Sequence, residues 1–82
     1  MPTFMDVHEG FVNATADDLR KAHEADLAIE GDEMVHFEKA WLDPVSGKAF
    51  CLSTGPDKGA VMRVHEKAGH AASEVYEISI EV

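Results

Sequence analysis

The chain has 82 residues, 45% of them hydrophobic, and 16 acidic side chains against 7 basic ones give it a formal charge of −9. That length fits a single domain, residues 1–82, and the apolar content fits a folded one. No apolar run approaches the roughly 18 residues of a membrane helix, no basic-then-apolar leader is visible, and the few basic residues are too scattered to bind phosphate. Neither a membrane nor a nucleic acid is an expected partner, whereas an acidic field favours cations.

In chain order, Thr3 to His8 alternates as a short strand. Thr15-Ala16-Asp17-Asp18 is a capping-box variant that starts a helix, with acids at its positive end. This helix runs through Leu19, Ala22, Leu27 and Ile29 and stops near Gly31-Asp32. Val35 to Leu42 alternates and is rich in β-formers. Asp43-Pro44-Val45-Ser46-Gly47 is turn chemistry, so Lys48 to Ser53 pairs back as a hairpin. Gly55-Pro56-Asp57 opens a second helix, with Pro56 in its first turn, continuing through Val61, Val64 and Ala68 to Gly69. Val75 to Val82 alternates as the last strand. The order β-α-β-β-α-β predicts an α+β, ferredoxin-like domain: a four-stranded antiparallel sheet with two helices on one face.

Alternation sorts the strand residues into two sets. Met5, Val7, Val35, Phe37, Trp41, Phe50, Leu52, Tyr76, Ile78 and Ile80 are expected under the helices. Phe4, Asp6, His8, His36, Glu38, Ala49, Cys51, Glu77 and Ser79 are expected on the uncovered face. A bulge in any strand would reverse this for the residues after it. On this sorting, Asp6 and His8 from one strand, with His36 and Glu38 from another, gather imidazole and carboxylate on one surface. Such donors suit Ni²⁺, Zn²⁺ and Cu²⁺, and residue type alone does not choose among them. No cluster of cysteines suggests structural zinc or an iron–sulfur site, and no oxygen-rich loop has the calcium spacing. Cys51, the single cysteine, reads as a small buried apolar residue and fits the reducing cytoplasm. On the first helix His23 and Asp26 lie three apart, close enough to bond. His65 reads as a boundary residue of the second helix, and His70 as an exposed loop residue.

Several short segments resemble a family of small bacterial proteins, catalogued as a domain of unknown function, whose best-described member binds nickel. They are Phe4-Met5-Asp6-Val7-His8, Ala22-His23-Glu24-Ala25-Asp26-Leu27, Trp41, Phe50-Cys51-Leu52 with Gly55-Pro56-Asp57, Val64-His65-Glu66-Lys67-Ala68-Gly69-His70, and Glu74-Val75-Tyr76-Glu77. The resemblance spans nearly the whole chain. It implies a ferredoxin-like homodimer, non-enzymatic, that binds and sequesters Ni²⁺, with Asp6, His8, His23, Asp26 and His65 as recurring polar positions. His36 and Glu38 are less general in that family, and the usual Ala-Pro start of the second helix is Gly55-Pro56 here.

The expected function is therefore nickel (or other transition-metal) binding for storage, sequestration or sensing. The expected ligands are His8, His36 and Glu38, with Asp6 and His65 joining them and with His23 and Asp26 in support. Ligand imidazoles must be neutral, so affinity should fall as pH drops through about 6.5. The alternative is a small-molecule enzyme of the dimeric α+β barrel type, with His23–Asp26 moving protons. No nucleophile elbow, phosphate loop or dinucleotide fingerprint supports other enzyme classes. A plain dimerising module with incidental histidines is the third reading.

Overall fold

The computed structural model describes residues 1–82. Strand β1 (Thr3–His8) leads to helix α1 (Ala16–Ile29), a short 3₁₀ turn (Glu30–Glu33), and the hairpin of β2 (His36–Asp43) and β3 (Lys48–Thr54). Helix α2 (Lys58–Lys67) and strand β4 (Glu74–Ile78) complete the chain. The sheet is antiparallel in the order β2-β3-β1-β4. Each helix therefore links two edge-and-centre strands across an intervening one, the split β-α-β arrangement expected from element order.

Local chemistry explains the boundaries. The Thr15 side chain accepts from the Asp18 amide while the Asp18 carboxylate accepts from the Thr15 amide, closing the predicted capping box. Asp57 caps α2 by accepting from the Ala60 amide, so the helix begins at Lys58 and Pro56 precedes the cap rather than sitting in the first turn. Gly47 closes the hairpin at φ +78°, and a Cβ there would lie 2.5 Å from Val12 Cγ2. Glycine is required at that position on both counts. Strand β4 ends at Ile78, earlier than alternation through Val82 suggests.

The two faces are assigned opposite to expectation. Phe4, Asp6 and His8 of β1, Ala49, Cys51 and Ser53 of β3, and Val75 of β4 are buried under the helices. Met5, Val7, Phe50 and Leu52 lie half-buried on the uncovered face, and Trp41, Tyr76 and Ile78 are exposed. Only the start of β2 follows prediction, with Val35 and Phe37 inside and His36 and Glu38 outside. A bulge between Phe37 and Lys39 then shifts the strand, so that Ala40 pairs with Cys51 and Trp41 with Phe50. The sorting placed apolar residues beneath the helices, but both faces carry them. The covered face also takes in Asp6, His8 and Ser53, with Asp6 bonded to His65 and His8 to the Ala71 carbonyl. The core itself is Phe4, Val35, Phe37, Cys51, Ala60, Val61, Val64 and Val75.

Candidate metal centre

The buried polar residues converge at one place between the sheet and the helices. β1 contributes Asp6 and His8, adjacent inward positions on one strand, and β3 contributes Cys51, the register partner of Asp6. α1 contributes Asp26 from its last two turns, and α2 contributes His65. Gly69, at φ +89°, reverses the chain after α2. The His70 amide thereby returns to the His65 carbonyl, 3.0 Å away, and His70 is set over the cluster. Asp6, His8, Asp26 and His65 are no more than 2% exposed. Ring centroids of His8 and His65 are 4.3 Å apart, and each is 5.4 Å from that of His70.

His65 is the hub. Its Nε2 donates to Asp6 Oδ2 at 2.8 Å and its Nδ1 to Asp26 Oδ1 at 3.0 Å. Carboxylates only accept, so both ring nitrogens carry protons and the metal-free ring is a cation. Burial alone would lower its pKa, but the two carboxylates outweigh this and push it up to about 9. The same balance runs in reverse for Asp6 and Asp26. Burial raises each, and the facing histidines more than offset it, holding both below the ordinary carboxylate value. Asp26 Oδ1 also accepts from His70 Nε2 at 2.8 Å.

His8 completes the arrangement. Its Nδ1 lies 3.3 Å from the Ala71 carbonyl oxygen. A carbonyl can only accept, which places a proton on Nδ1. The ring's Nε2 faces Asp6 Oδ1 at 2.7 Å. Neither atom makes a directed hydrogen bond, and both are fully buried. At that separation a ring nitrogen and a carboxylate oxygen share either a proton or a metal ion. Both imidazoles thus point Nε2 at Asp6 while an acceptor anchors the opposite nitrogen, the outer support that metal-binding histidines use. Ligand atoms of Asp6, His8, Cys51 and His65 all fall within 4.8 Å of one another, and those of Asp26, His65 and His70 form a second such group. Burial, then the charges of Asp6 and Asp26, push the Cys51 thiol far up, so it is protonated in the metal-free protein.

The expected site residues divide accordingly. Asp6, His8 and His65 come together. His36 and Glu38 do not join them: they lie across the sheet, exposed, and His36 Nδ1 approaches Glu30 Oε1 at 3.3 Å instead. The expected single surface shared by His8 and His36 is overturned, because the face containing His8 is the covered one. The His23–Asp26 pair does not form, since Asp26 bonds His65 and His70. His23 instead lines a separate cavity of about 270 Å³ with Ala16, Leu19, Arg20 and Ala40. His65 is wholly buried rather than at a boundary, and His70 is not a free loop residue. Sequence reasoning missed Cys51 and His70 as neighbours of one centre; Asp26 was expected in support, and its partner is His65 rather than His23. Gly69 was the available signal for His70, because a glycine ending a helix turns the next residue back over the final turn.

The structure is a small α+β protein with an imidazole–carboxylate cluster, able to hold a transition-metal ion, sealed between sheet and helices. Comparison with known proteins agrees. Residues 4–78 match the family described as nickel responsive protein SCO4226-like, and the chain belongs to that family. The crystal structure of SCO4226 from Streptomyces coelicolor A3(2) is similar, with a TM-score of 0.95 and 56% sequence identity over 98% of this chain and 99% of that one. Among curated proteins, none matches.

Proposed function

We propose that the protein binds Ni²⁺ in this buried centre and holds it for storage, sequestration or sensing. Asp6, His8 and His65 are the ligands, with Cys51 beside them. The observation that carries this reading is the convergence of Asp6, His8, Cys51 and His65 in the interior, with their ligand atoms all within 4.8 Å of one another. Ni²⁺ accepts imidazole nitrogen and carboxylate oxygen, and the family's description supports nickel over zinc or copper. On binding, the ion takes the place of the proton on His65 Nε2, while Asp26 keeps the ring oriented through Nδ1. His36 and Glu38 stay outside the centre on this reading.

We also place the protein in the cytoplasm as a homodimer that packs the uncovered sheet faces together. A reduced, buried Cys51 is consistent with that compartment. On the uncovered face Lys39, Leu52, Met5 and Tyr76 form one cross-strand row, and Trp41, Phe50 and Val7 form the next. A contiguous apolar surface of this kind favours a partner with the same surface, as a twofold axis provides.

Isothermal titration of the metal-free protein with Ni²⁺, Zn²⁺ and Cu²⁺, alongside elemental analysis after dialysis against the mixed metals, tests the function. Micromolar or tighter Ni²⁺ binding that disappears in His8→Ala is the expected result. Absence of binding in the wild type, or full binding in His8→Ala, would refute it.

A further inference from the structure

We infer that the cavity between α1 and the edge strand β2 binds a small organic acid. Arg20 holds its carboxylate, His23 adds a hydrogen bond, and Ala16, Leu19 and Ala40 pack against its apolar body. This site stands apart from the buried cluster and does not depend on the nickel centre.

Four of the five lining residues, Ala16, Leu19, Arg20 and His23, are spaced i, i+3, i+4 and i+7, a single stripe along α1. The fifth, Ala40, comes from β2. The bulge between Phe37 and Lys39 turns it inward, where it pairs with Cys51 and lies partly buried against the core. Alanine thus stands on both sides of the gap, at 16 and at 40, and neither side chain is long enough to fill it. Protein interiors ordinarily leave few voids larger than a water molecule, yet this one measures about 270 Å³. That lies just under the roughly 300–1,000 Å³ of ordinary small-molecule sites, which limits the ligand to one ring or a short chain. β2 is the outermost strand on this side, so no further strand lies beyond the opening.

The polar groups select the chemistry. Arg63, the other arginine, is bonded across to Glu33. Arg20 is bonded only to its helical neighbour Asp17, through Nη1, in a pair that is largely exposed. Such a pair is weak, and the remaining donors of the planar guanidinium match the two oxygens of a carboxylate. His23 Nδ1 is buried and finds no hydrogen-bond partner in the chain. An atom in that state carries a desolvation cost that a bonded ligand removes. Rotation of the ring about its Cβ–Cγ bond turns Nδ1 to the ligand, where its N–H donates to a carboxylate oxygen. The chain's charge of −9 repels an anion at long range, but physiological salt screens that field over about 8 Å, so Arg20 decides the local balance. A metal ion is poorly served here, because the lining offers one imidazole, a fixed cation and no carboxylate.

Titration of the metal-free protein with benzoate, followed by ¹H–¹⁵N NMR, tests the site. Saturable shifts centred on Leu19, Arg20, His23 and Ala40 are expected, with the millimolar or tighter Kd of a fragment-sized ligand. Benzamide, which keeps the ring without the charge, and acetate, which keeps the charge without the ring, should each bind about tenfold more weakly or worse. Inorganic phosphate, an anion with no apolar body, should do no better than acetate. Arg20→Gln should weaken benzoate by about tenfold or more, and Ala40→Leu, which fills the cavity and keeps Arg20, should abolish binding. Absence of saturable shifts overturns the proposal, as does benzamide binding as tightly as benzoate or either variant binding benzoate like the wild type. If Ala40→Leu does not fold, Arg20→Gln decides, since that side chain is 60% exposed and its loss leaves the core intact.

Discussion

The two faces of the sheet carry opposite kinds of residue. Under the helices, β1 buries Asp6 and His8 among imidazoles and a second carboxylate. On the side without helices, the same strand shows Met5 and Val7 in a field of Leu52, Phe50, Trp41 and Tyr76. The covered face is stabilised by pairing of charges, and the open face retains apolar area that only association can remove from water. Substitutions should therefore act through different quantities on the two sides: metal affinity and monomer stability on one, self-association on the other.

The largest effect is expected at the hub. His65→Ala leaves Asp6 and Asp26 buried with their main counter-charge gone. Breaking a buried ion pair by removing one partner costs about 3–5 kcal/mol, and loss of a ligand should weaken Ni²⁺ binding by about 100-fold or more. Chemical denaturation and calorimetry check the two values. The stability loss should shrink at acid pH, where the abandoned carboxylates take up protons. An equal loss at pH 4 and pH 7 would count against the charge argument.

Acid and base should sharpen the contrast without any substitution. In the metal-free protein the pKa of His65 lies near 9 against an ordinary 6.5. Its stabilising contribution is complete below 6.5 and disappears as pH rises through about 9, and the displacement corresponds to about 3 kcal/mol. Asp6 and Asp26 are depressed below the ordinary 3.8. Their contribution is present above that value and is lost as pH falls through their folded values. Denaturant midpoints of the metal-free protein should be highest between about pH 4 and 6.5 and should decline on both sides. A midpoint that is flat from pH 6 to 10 would show that His65 is not held as a cation.

On the open face, Phe50→Asp puts a carboxylate between Trp41 and Val7, its register partners on either side. Self-association measured by sedimentation should weaken by about 2 kcal/mol or more. Ni²⁺ affinity should be unchanged, because Phe50 and the cluster lie on opposite faces. Coupled loss of metal binding and dimerisation would mean that the ion needs both chains.

Much of the fold was legible because local signals are strong. The capping box at Thr15, the Asp43–Gly47 turn and the alternation of β1 each specify their element without help from tertiary contacts, whereas Gly55-Pro56-Asp57 suggests a start of α2 earlier than the one Asp57 caps. Of the five expected ligands, Asp6, His8 and His65 do meet in one cluster, while His36 and Glu38 lie apart from it. The face was not legible. Alternation says which residues share a side, and choosing the covered side relied on hydrophobicity, which misleads when buried charges neutralise one another. The bulge after Phe37 was invisible for a related reason, since Glu38 and Lys39 are ordinary polar strand residues whose spacing carries no sign of an extra position. Asp26 was assigned to His23 by helical proximity, but its partners come from α2 and the following loop, a contact between segments 39 and 44 residues apart.

The smallest expected effect is the one that best separates the two faces. His36 looked like a ligand because it lies two residues from Glu38 in a strand, as Asp6 does from His8. In the folded chain its side chain is 64% exposed, next to Glu30, and the Glu30 carboxylate is also held by the Phe37 amide at 2.7 Å. An exposed pair of this kind contributes about 0–1 kcal/mol, and Glu30 keeps its backbone partner when the imidazole is removed. His36→Ala should therefore change the denaturation midpoint within measurement error and leave Ni²⁺ affinity within about twofold, as expected for a surface substitution remote from the centre. Since His8→Ala should abolish binding, the two alanine variants, measured side by side in the same titration, ask which face holds the ion. Loss of binding in His36→Ala would move the nickel from the covered face to the open one.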